Sequence, residues 1–558
     1  MPESKSKFLI PAVGAAVVVA GSIAAYMYLK GPSGGSSDAL GSAKVVPSTA
    51  LMATYITTDP EPWAKLQQFG TPEAQNLVAK GLEYFNKQMF SEGNISYEKD
   101  IKPWAGGVMI AVLPQNPVKP AQLNVPSGVP NVPTNLQQES NILIVVGIKD
   151  KLSALNFANK LKSQKGVKSQ ESDYQGQKIS ETTQNGKPTY SVVLNNSHLV
   201  LAPEKQAVEK AIDTFKGQSS LATKEGASSI LKGVDVKNSL AQIYIPDYGG
   251  MIQQLTAGNP QTKQLPPQTL TQLKQIKSVV AGVGVDDAGV RVKAIANLDA
   301  QLNKFQYQSS PGNIVGQFPT DTFALISGNG ISRGWETIVE QSKDDPEMKQ
   351  ALEQVRSQLK FANLDLDKDI FGWMNGEFAF GAIPSKQGVL ASVGFGGALV
   401  FDTSDRKTAE ATLTKLDTLA KNQQINVANR NIAGKDVTEW QIPRQGALLA
   451  HGWLDQDTVF IALGGPVADV VSDRKNPSLD TSETFKAITG SLQKPNGGYF
   501  YLDMDKTKTV PLINNFLLAD PNTTTILSSI RGLGFTATSP DKSTSQLEML
   551  LALKPTVK

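Results

Sequence analysis

Lys99-Asp100-Ile101-Lys102-Pro103-Trp104 returns later in the chain as Lys368-Asp369-Ile370-Phe371-Gly372-Trp373. Two short strings alone would be a coincidence, but their neighbours also match. Upstream, Val46-Pro47-Ser48-Thr49-Ala50-Leu51-Met52-Ala53 corresponds to Phe318-Pro319-Thr320-Asp321-Thr322-Phe323-Ala324-Leu325, and a tryptophan follows each, Trp63 and Trp335. Gly107 corresponds to Gly376, and apolar runs ending in Pro114 and Pro384 come next. Downstream, Gly176, Ile179, Ser180 and Glu181 match Gly434, Val437, Thr438 and Glu439 at the same internal spacing. Leu199-Val200-Leu201-Ala202 matches Val459-Phe460-Ile461-Ala462, Ser220-Leu221 matches Ser478-Leu479, and Tyr244 matches Tyr501. Matches that keep their order while their spacing drifts slowly mark an internal repeat.

Within the first copy, residues 50–57, 108–113 and 142–148 have the length and β-branched content of strands, while 71–90 and 151–163 carry helical patterns. Residues 177–182, 189–194 and 198–202 are short strand-like runs split by Asn185-Gly186 and Asn195-Asn196, both hairpin turn signals. A helix is expected over 204–215, a strand over 240–245, and a closing hairpin over 279–284 and 290–297, mirrored by 532–538 and 546–553. Hairpins alternating with helices predict an α+β fold: two diverged tandem copies of a mixed or antiparallel sheet domain with covering helices. The expected copies are residues 45–300, with a Pro-rich excursion over 114–140, and 318–558. Residues 301–317, carrying Ser309-Ser310-Pro311-Gly312, read as the linker between them.

The bulk properties are those of a globular protein: 558 residues, 40% hydrophobic and 19% charged. Lys and Arg total 54 against 51 acids, a net charge of +3 with no basic stripe, which argues against nucleic acid as a partner. Cysteine is absent, so disulfides, thiolate nucleophiles and Cys-based metal sites are excluded. With only His198 and His451, a multi-histidine metal centre is excluded too, and no cofactor or metal is expected.

Phe8 to Leu29 is an uncharged apolar stretch that as a helix rises about 33 Å, enough to cross a hydrocarbon core. Lys5 and Lys7 precede it and a neutral Gly/Ser run follows Lys30, which predicts residues 1–7 in the cytoplasm and the bulk beyond the membrane. A signal peptide is the alternative for 8–29, though its apolar region is usually shorter. Residues 30–44 read as a flexible tether.

Gly330-Ile331-Ser332-Arg333-Gly334 fits G-x-S-x-G between a strand and a helix, the setting of a nucleophile elbow. The corresponding Thr58-Asp59-Pro60-Glu61-Pro62 has no nucleophile, and only His451 is available as a base, so Ser332 and Asp59 are expected to be helix N-caps. Gly394-Phe395-Gly396-Gly397 lacks the third glycine of a dinucleotide fingerprint, Leu399 standing there, and predicts close sheet packing. Asp365, Asp367 and Asp369, and Asp503 and Asp505, lack the rest of a calcium loop. The repeated pairs Asp100/Trp104 and Asp369/Trp373 are expected to serve packing, with a shared surface feature as the alternative. His198 and His451 fall opposite Thr458 and Ser191 in the repeat, so neither belongs to a repeated site.

The opening Lys44-Val45-Val46-Pro47-Ser48-Thr49-Ala50-Leu51-Met52-Ala53-Thr54-Tyr55, the apolar N-terminal segment and the Asp-Ile-x-x-Trp stretch together resemble a cyanobacterial family, domain of unknown function 3352. The resemblance covers most of the chain after residue 44. It implies a membrane-associated protein facing the periplasm or thylakoid lumen and carries over no catalytic residue. The resulting expectation is a non-enzymatic, membrane-tethered binding or scaffolding protein, anchored through 8–29, with a protein partner in the membrane, lumen or periplasm. A serine hydrolase using Ser332 and His451, and a carrier of an apolar ligand such as a lipid or pigment, are the alternatives.

Overall fold

The computed structural model describes residues 38–77, 99, 102–114, 142–162, 168–184, 187–224, 227, 234–257, 273–303, 305–343, 345–473, 477–517 and 521–556. The expected membrane segment 8–29, Asp100 and nearly all of the Pro-rich excursion lie outside these residues. Among the described residues no helix is long and apolar enough to cross a membrane. The chain is mixed α+β and divides into two compact units. Residues 38–66, the described part of 78–285, and 294–297 form the first; 67–77, 286–293 and 298–556 form the second.

The first unit contains β1 (Met52–Ile56), β2 (Ala105–Val112), β3 (Ile142–Ile148), β4 (Lys168–Tyr174), β5 (Gln177–Gln184), β6 (Lys187–Leu194), β7 (His198–Ala202), β8 (Ser239–Ile245) and β9 (Ile276–Asp286), after which β10 (Gly289–Leu298) begins. Its strands lie side by side as β4-β5-β6-β7-β3-β2-β1-β8-β9, every neighbour antiparallel. The apolar runs are continuous because both faces of the sheet are covered, and alternate residues serve opposite cores. Val145, Val200 and Ala202 pack with Ala207, Val208 and Ala211 of the helix Lys205–Phe215. Ile144, Val146 and Leu199 point the other way, toward Trp104 and Phe157 of the helix Lys151–Lys162.

The second unit contains β11 (Ala324–Asn329), β12 (Glu377–Pro384), β13 (Phe395–Asp402), β14 (Asn426–Ile432), β15 (Lys435–Ile442), β16 (Gly446–Trp453), β17 (Thr458–Leu463), β18 (Phe500–Asp503), β19 (Ile530–Asp541) and β20 (Thr544–Leu553). The order is β14-β15-β16-β17-β13-β12-β11-β18-β19-β20, again antiparallel throughout. Val400, Phe460 and Ala462 face Val467 and Ile488 on one side. Phe401 and Val459 face Trp373 and the helix Arg406–Asn422 on the other. That helix begins on Asp405, whose carboxylate accepts the Thr408 N–H at 3.1 Å. The glycines of the near-fingerprint lie at the start of β13, where a Cβ on Gly396 would sit 2.3 Å from the Leu463 carbonyl; close sheet packing is their role.

Two expected connectors are parts of the cores. The end of the expected tether is a short helix, Ala39–Ala43, with Ala39, Ser42 and Ala43 buried. The expected linker 301–317 is built into the second unit: its 3-10 turn Asn313–Gln317 buries Ile314 and Val315 to 1% exposure. What holds it is Glu377, the first residue of β12, 7% exposed. Its carboxylate accepts the Ser310 hydroxyl, the Gly312 N–H at 2.5 Å and the Ile314 N–H at 3.2 Å. A loop-like composition therefore hides an anchored strap. Each opening segment docks alike in its own unit: the Val46 carbonyl accepts Leu221 N–H at 2.7 Å, and the Phe318 carbonyl accepts Leu479 N–H at 2.8 Å.

Candidate functional site

The two residues of the hydrolase alternative are far apart. Ser332 lies in the first turn of the helix Ile331–Ser342, just after β11, and its N–H donates to the Met374 carbonyl at 3.0 Å. His451 is in β16, with β17, β13 and β12 lying between β16 and β11. Four strand spacings of about 4.8 Å put the two elements on the order of 19 Å apart. His451 has its own partner: Nε2 lies 2.8 Å from Asp417 Oδ1, which also accepts Trp440 Nε1 at 2.7 Å. A carboxylate facing these donors requires the proton on Nε2, so that nitrogen is no base. The N-cap expectation holds for Asp59, which accepts the Glu61 N–H at 3.1 Å. It fails for Ser332. Gly330, in the left-handed region at φ 72°, caps that helix without a side-chain bond, because the chain must turn sharply as it leaves β11.

The paired acids are likewise engaged. Asp365 caps the π-helical turn Leu366–Phe371, accepting the N–H groups of Asp367 and Lys368. Asp367 takes Trp335 Nε1 at 2.7 Å and a two-point contact from Arg356 at 3.0 Å. Burial works to raise its carboxyl, yet the bonds from Arg356 and Trp335 hold it below the usual range. The Lys415 ammonium, 2.8 Å from Asp369, and the Asp365 N–H hold Asp369 low as well. Asp503 caps a helical turn and Asp505 pairs with Lys554 at 2.7 Å. Among the described residues no cluster could hold a metal ion. Trp104 and Trp373 are 3% and 2% exposed, which excludes them as a surface feature; Trp104 stacks on Phe157 at 5.4 Å and Trp373 meets Phe401 edge-on at 5.7 Å. His198 is half-buried, its Nδ1 2.9 Å from Ser197 Oγ, and burial lowers its pKa toward the neutral form.

The site that stands out lies elsewhere. On the face of the second unit's sheet that carries Phe401 and Val459, the helix Arg406–Asn422 covers only part of the surface. Beyond it, Phe380, Ile326, Phe500, Phe535 and Met549 are direct partners across β12, β11, β18, β19 and β20, so they form one transverse row. Ile326 is 50% exposed. The corresponding row of the first unit contains Thr54 and Ile243, each only 4% exposed.

A cleft of about 1390 Å³ opens over the middle of this row. Ile326, Phe500 and Phe535 form its floor, with Phe378 beside them. One wall is the helix Ile331–Ser342, through Ile331, Trp335 and Ile338, with Trp335 stacked on Phe371 at 4.2 Å. The other wall comes from strap residues 300–303 and 305–309, where Phe305 and Tyr307 meet edge-on at 4.9 Å. Arg333 and Lys542 stand exposed on its rim, and among the described residues no Asp or Glu lines it. A concavity of this size, apolar within and polar at its edge, has the character of a ligand site. By contrast, the first unit carries a polar hollow of about 280 Å³ bordered by Asp59 and Glu61. Sequence reasoning missed the cleft. The only available signal was the apolar residue on both strand faces beside a helix, 331–342, that has a single buried residue, Ser342.

The sequence profile described as "Protein of unknown function (DUF3352)" matches residues 12–553. A search of curated proteins returns no match. Among solved structures, crystal form IV of TP0453 is similar at 11% identity, covering 46% of this chain and 79% of that chain with a TM-score of 0.26. Crystal form I of TP0453 gives 12% identity, 46% and 78% coverage, and a TM-score of 0.24. At such TM-scores nothing about this chain follows from them.

Proposed function

This chain belongs to the DUF3352 family, and we propose that it is a non-enzymatic, membrane-tethered binding protein whose second unit takes up the apolar part of a ligand. The observation that carries this reading is the open aromatic cleft over Ile326, Phe500 and Phe535. An apolar row left in water is an energetic cost, about 25 cal/mol for each Å² exposed, and contiguous patches of this kind mark binding surfaces. The separation of Ser332 from His451 favours binding over hydrolysis. The cleft favours an apolar ligand over a purely scaffolding role.

The two units are, on this reading, diverged copies of one domain. The shared strand order and the paired docking of Val46 on Leu221 and of Phe318 on Leu479 support it. Among the described residues the open apolar face belongs to the second unit, so the ligand role is assigned to that copy. The tether is the uncharged stretch Phe8 to Leu29, with the bulk in the periplasm or thylakoid lumen of a cyanobacterial cell.

The test is a photo-crosslinking residue placed at Ile326 in the full chain in cells, with the same residue at exposed Leu152 of the first unit as control. An adduct of small apolar mass at position 326 and not at 152 is expected. Protein adducts alone would replace this reading with scaffolding, and digestion of the bulk by protease confined to the cytoplasmic side would overturn the assigned membrane orientation.

A further inference from the structure

We infer that the cleft of the second unit holds a single-chain anionic amphiphile, a long-chain carboxylate, with its head at Arg333 and its tail along the apolar row. This rests on the proposed binding role and names the ligand class. Three observations lead to it. The first is charge. Arg333 and Lys542 line the rim, neither guanidinium nor ammonium has an acidic partner among the described residues, and no described carboxylate lines the cleft. An apolar floor under an uncompensated cationic rim matches a ligand with an anionic end and an apolar body.

The second observation is size. A methylene takes up close to the volume of one liquid water, about 30 Å³, so a tail of about sixteen carbons needs roughly 480 Å³. The cleft, at about 1390 Å³, accepts one such chain with room for its hydrated head. The third is the polarity of the floor. A peptide would bring an N–H and a C=O with every residue, each needing a partner. Strands β11, β18 and β19 have already bonded theirs to one another, and the side chains above them are Ile326, Phe500 and Phe535. A hydrocarbon tail demands no hydrogen bond there.

The motif Gly330-Ile331-Ser332-Arg333-Gly334 gains a role on this account. It brings Arg333 to the rim, and Gly334 leaves the wall open: a Cβ there would meet no atom within 4 Å. Gly334→Leu therefore puts an isobutyl group into the cleft from an unobstructed Cβ position and replaces a helical glycine by a better helix former.

The experiment uses the full chain in phosphatidylcholine vesicles with a diazirine-bearing sixteen-carbon acid and the matching alcohol, followed by peptide mapping of the adducts. Thermal unfolding of each variant checks its fold. The acid is expected to label peptides containing Ile326, Ile338 and Phe535. Gly334→Leu should lower that labelling at least tenfold, and Arg333→Gln should lower it about fivefold for the acid while leaving the alcohol unchanged. Equal labelling by acid and alcohol with no effect of Arg333→Gln would overturn the head-group assignment and leave the apolar-ligand role standing. Labelling confined to residues 8–29, alike in wild type and Gly334→Leu, would overturn both.

Discussion

Glu377 offers a sharp test of how the cleft is held. Its buried carboxylate is the shared acceptor for Ser310, Gly312 and Ile314, and the strap wall depends on that anchor. In Glu377→Ala the Gly312 and Ile314 N–H groups lose their acceptor. A buried donor left unpaired costs about 1–3 kcal/mol, so two together with the Ser310 hydroxyl give roughly 4 kcal/mol. Glu377→Gln keeps the shape and one oxygen but turns an amide NH₂ toward donors, for about 2 kcal/mol. Because the chain has two units, a single unfolding midpoint is a poor readout. Hydrogen exchange of a peptide spanning 310–316 is better: about 2 kcal/mol corresponds to roughly thirtyfold faster exchange through local opening. The predicted order is alanine fastest, glutamine intermediate, wild type slowest, with peptides of the first unit unchanged. If Glu377→Ala exchanges at the wild-type rate over 310–316, the anchoring argument is wrong.

Three further outcomes follow from the same geometry. Burial, with Glu377, Asp455 and Asp457 nearby, pushes the Asp402 carboxyl above its ordinary pKa. The native state then holds that proton more tightly than the unfolded chain, so its contribution is most favourable below the ordinary carboxylate pKa and is lost as pH rises through the folded value. Asp402→Asn, which keeps an oxygen for the Thr458 hydroxyl, should raise the melting temperature of the second unit's transition near pH 7 and leave it unchanged below pH 4. Trp373→Ala empties a site lined by Phe401, Ala409, Leu413 and Val459 and should cost about 3–5 kcal/mol in urea unfolding of the second unit. A fluorophosphonate probe should fail to label Ser332, because His451 stands four strands away from it; labelling that Ser332→Ala abolishes would reverse this.

Much of the strand layout was legible because the apolar alternation is strong and the turns are Asn/Gly signals. The expected runs 142–148 and 198–202 coincide with β3 and β7, and 177–182, 189–194 and 240–245 fall within β5, β6 and β8. The edge strands β4 and β14 were not foreseen. Six of the seven residues of Lys168–Tyr174 are exposed, so no buried face writes a period into the sequence. Asn426–Ile432 has the same difficulty, with only Ile432 buried. The anchoring of the strap is not legible in its composition, since Ser, Pro and Gly suit a loose linker and a turn around a buried carboxylate equally well. The candidate site was less legible still. Its floor comes from four strands and its walls from two distant segments, and each aromatic in it reads alone as an ordinary core residue. Only the register across β12, β11, β18, β19 and β20 shows that Phe380, Ile326, Phe500, Phe535 and Met549 share one face.

The central claim is that this uncovered face holds a ligand in the native protein. Native mass spectrometry of the full chain released gently from its own membranes, wild type beside Ile326→Glu, addresses it directly. The account predicts a wild-type mass carrying one additional apolar molecule and an Ile326→Glu mass without it, both proteins melting alike. Identical bare masses for the two would contradict it.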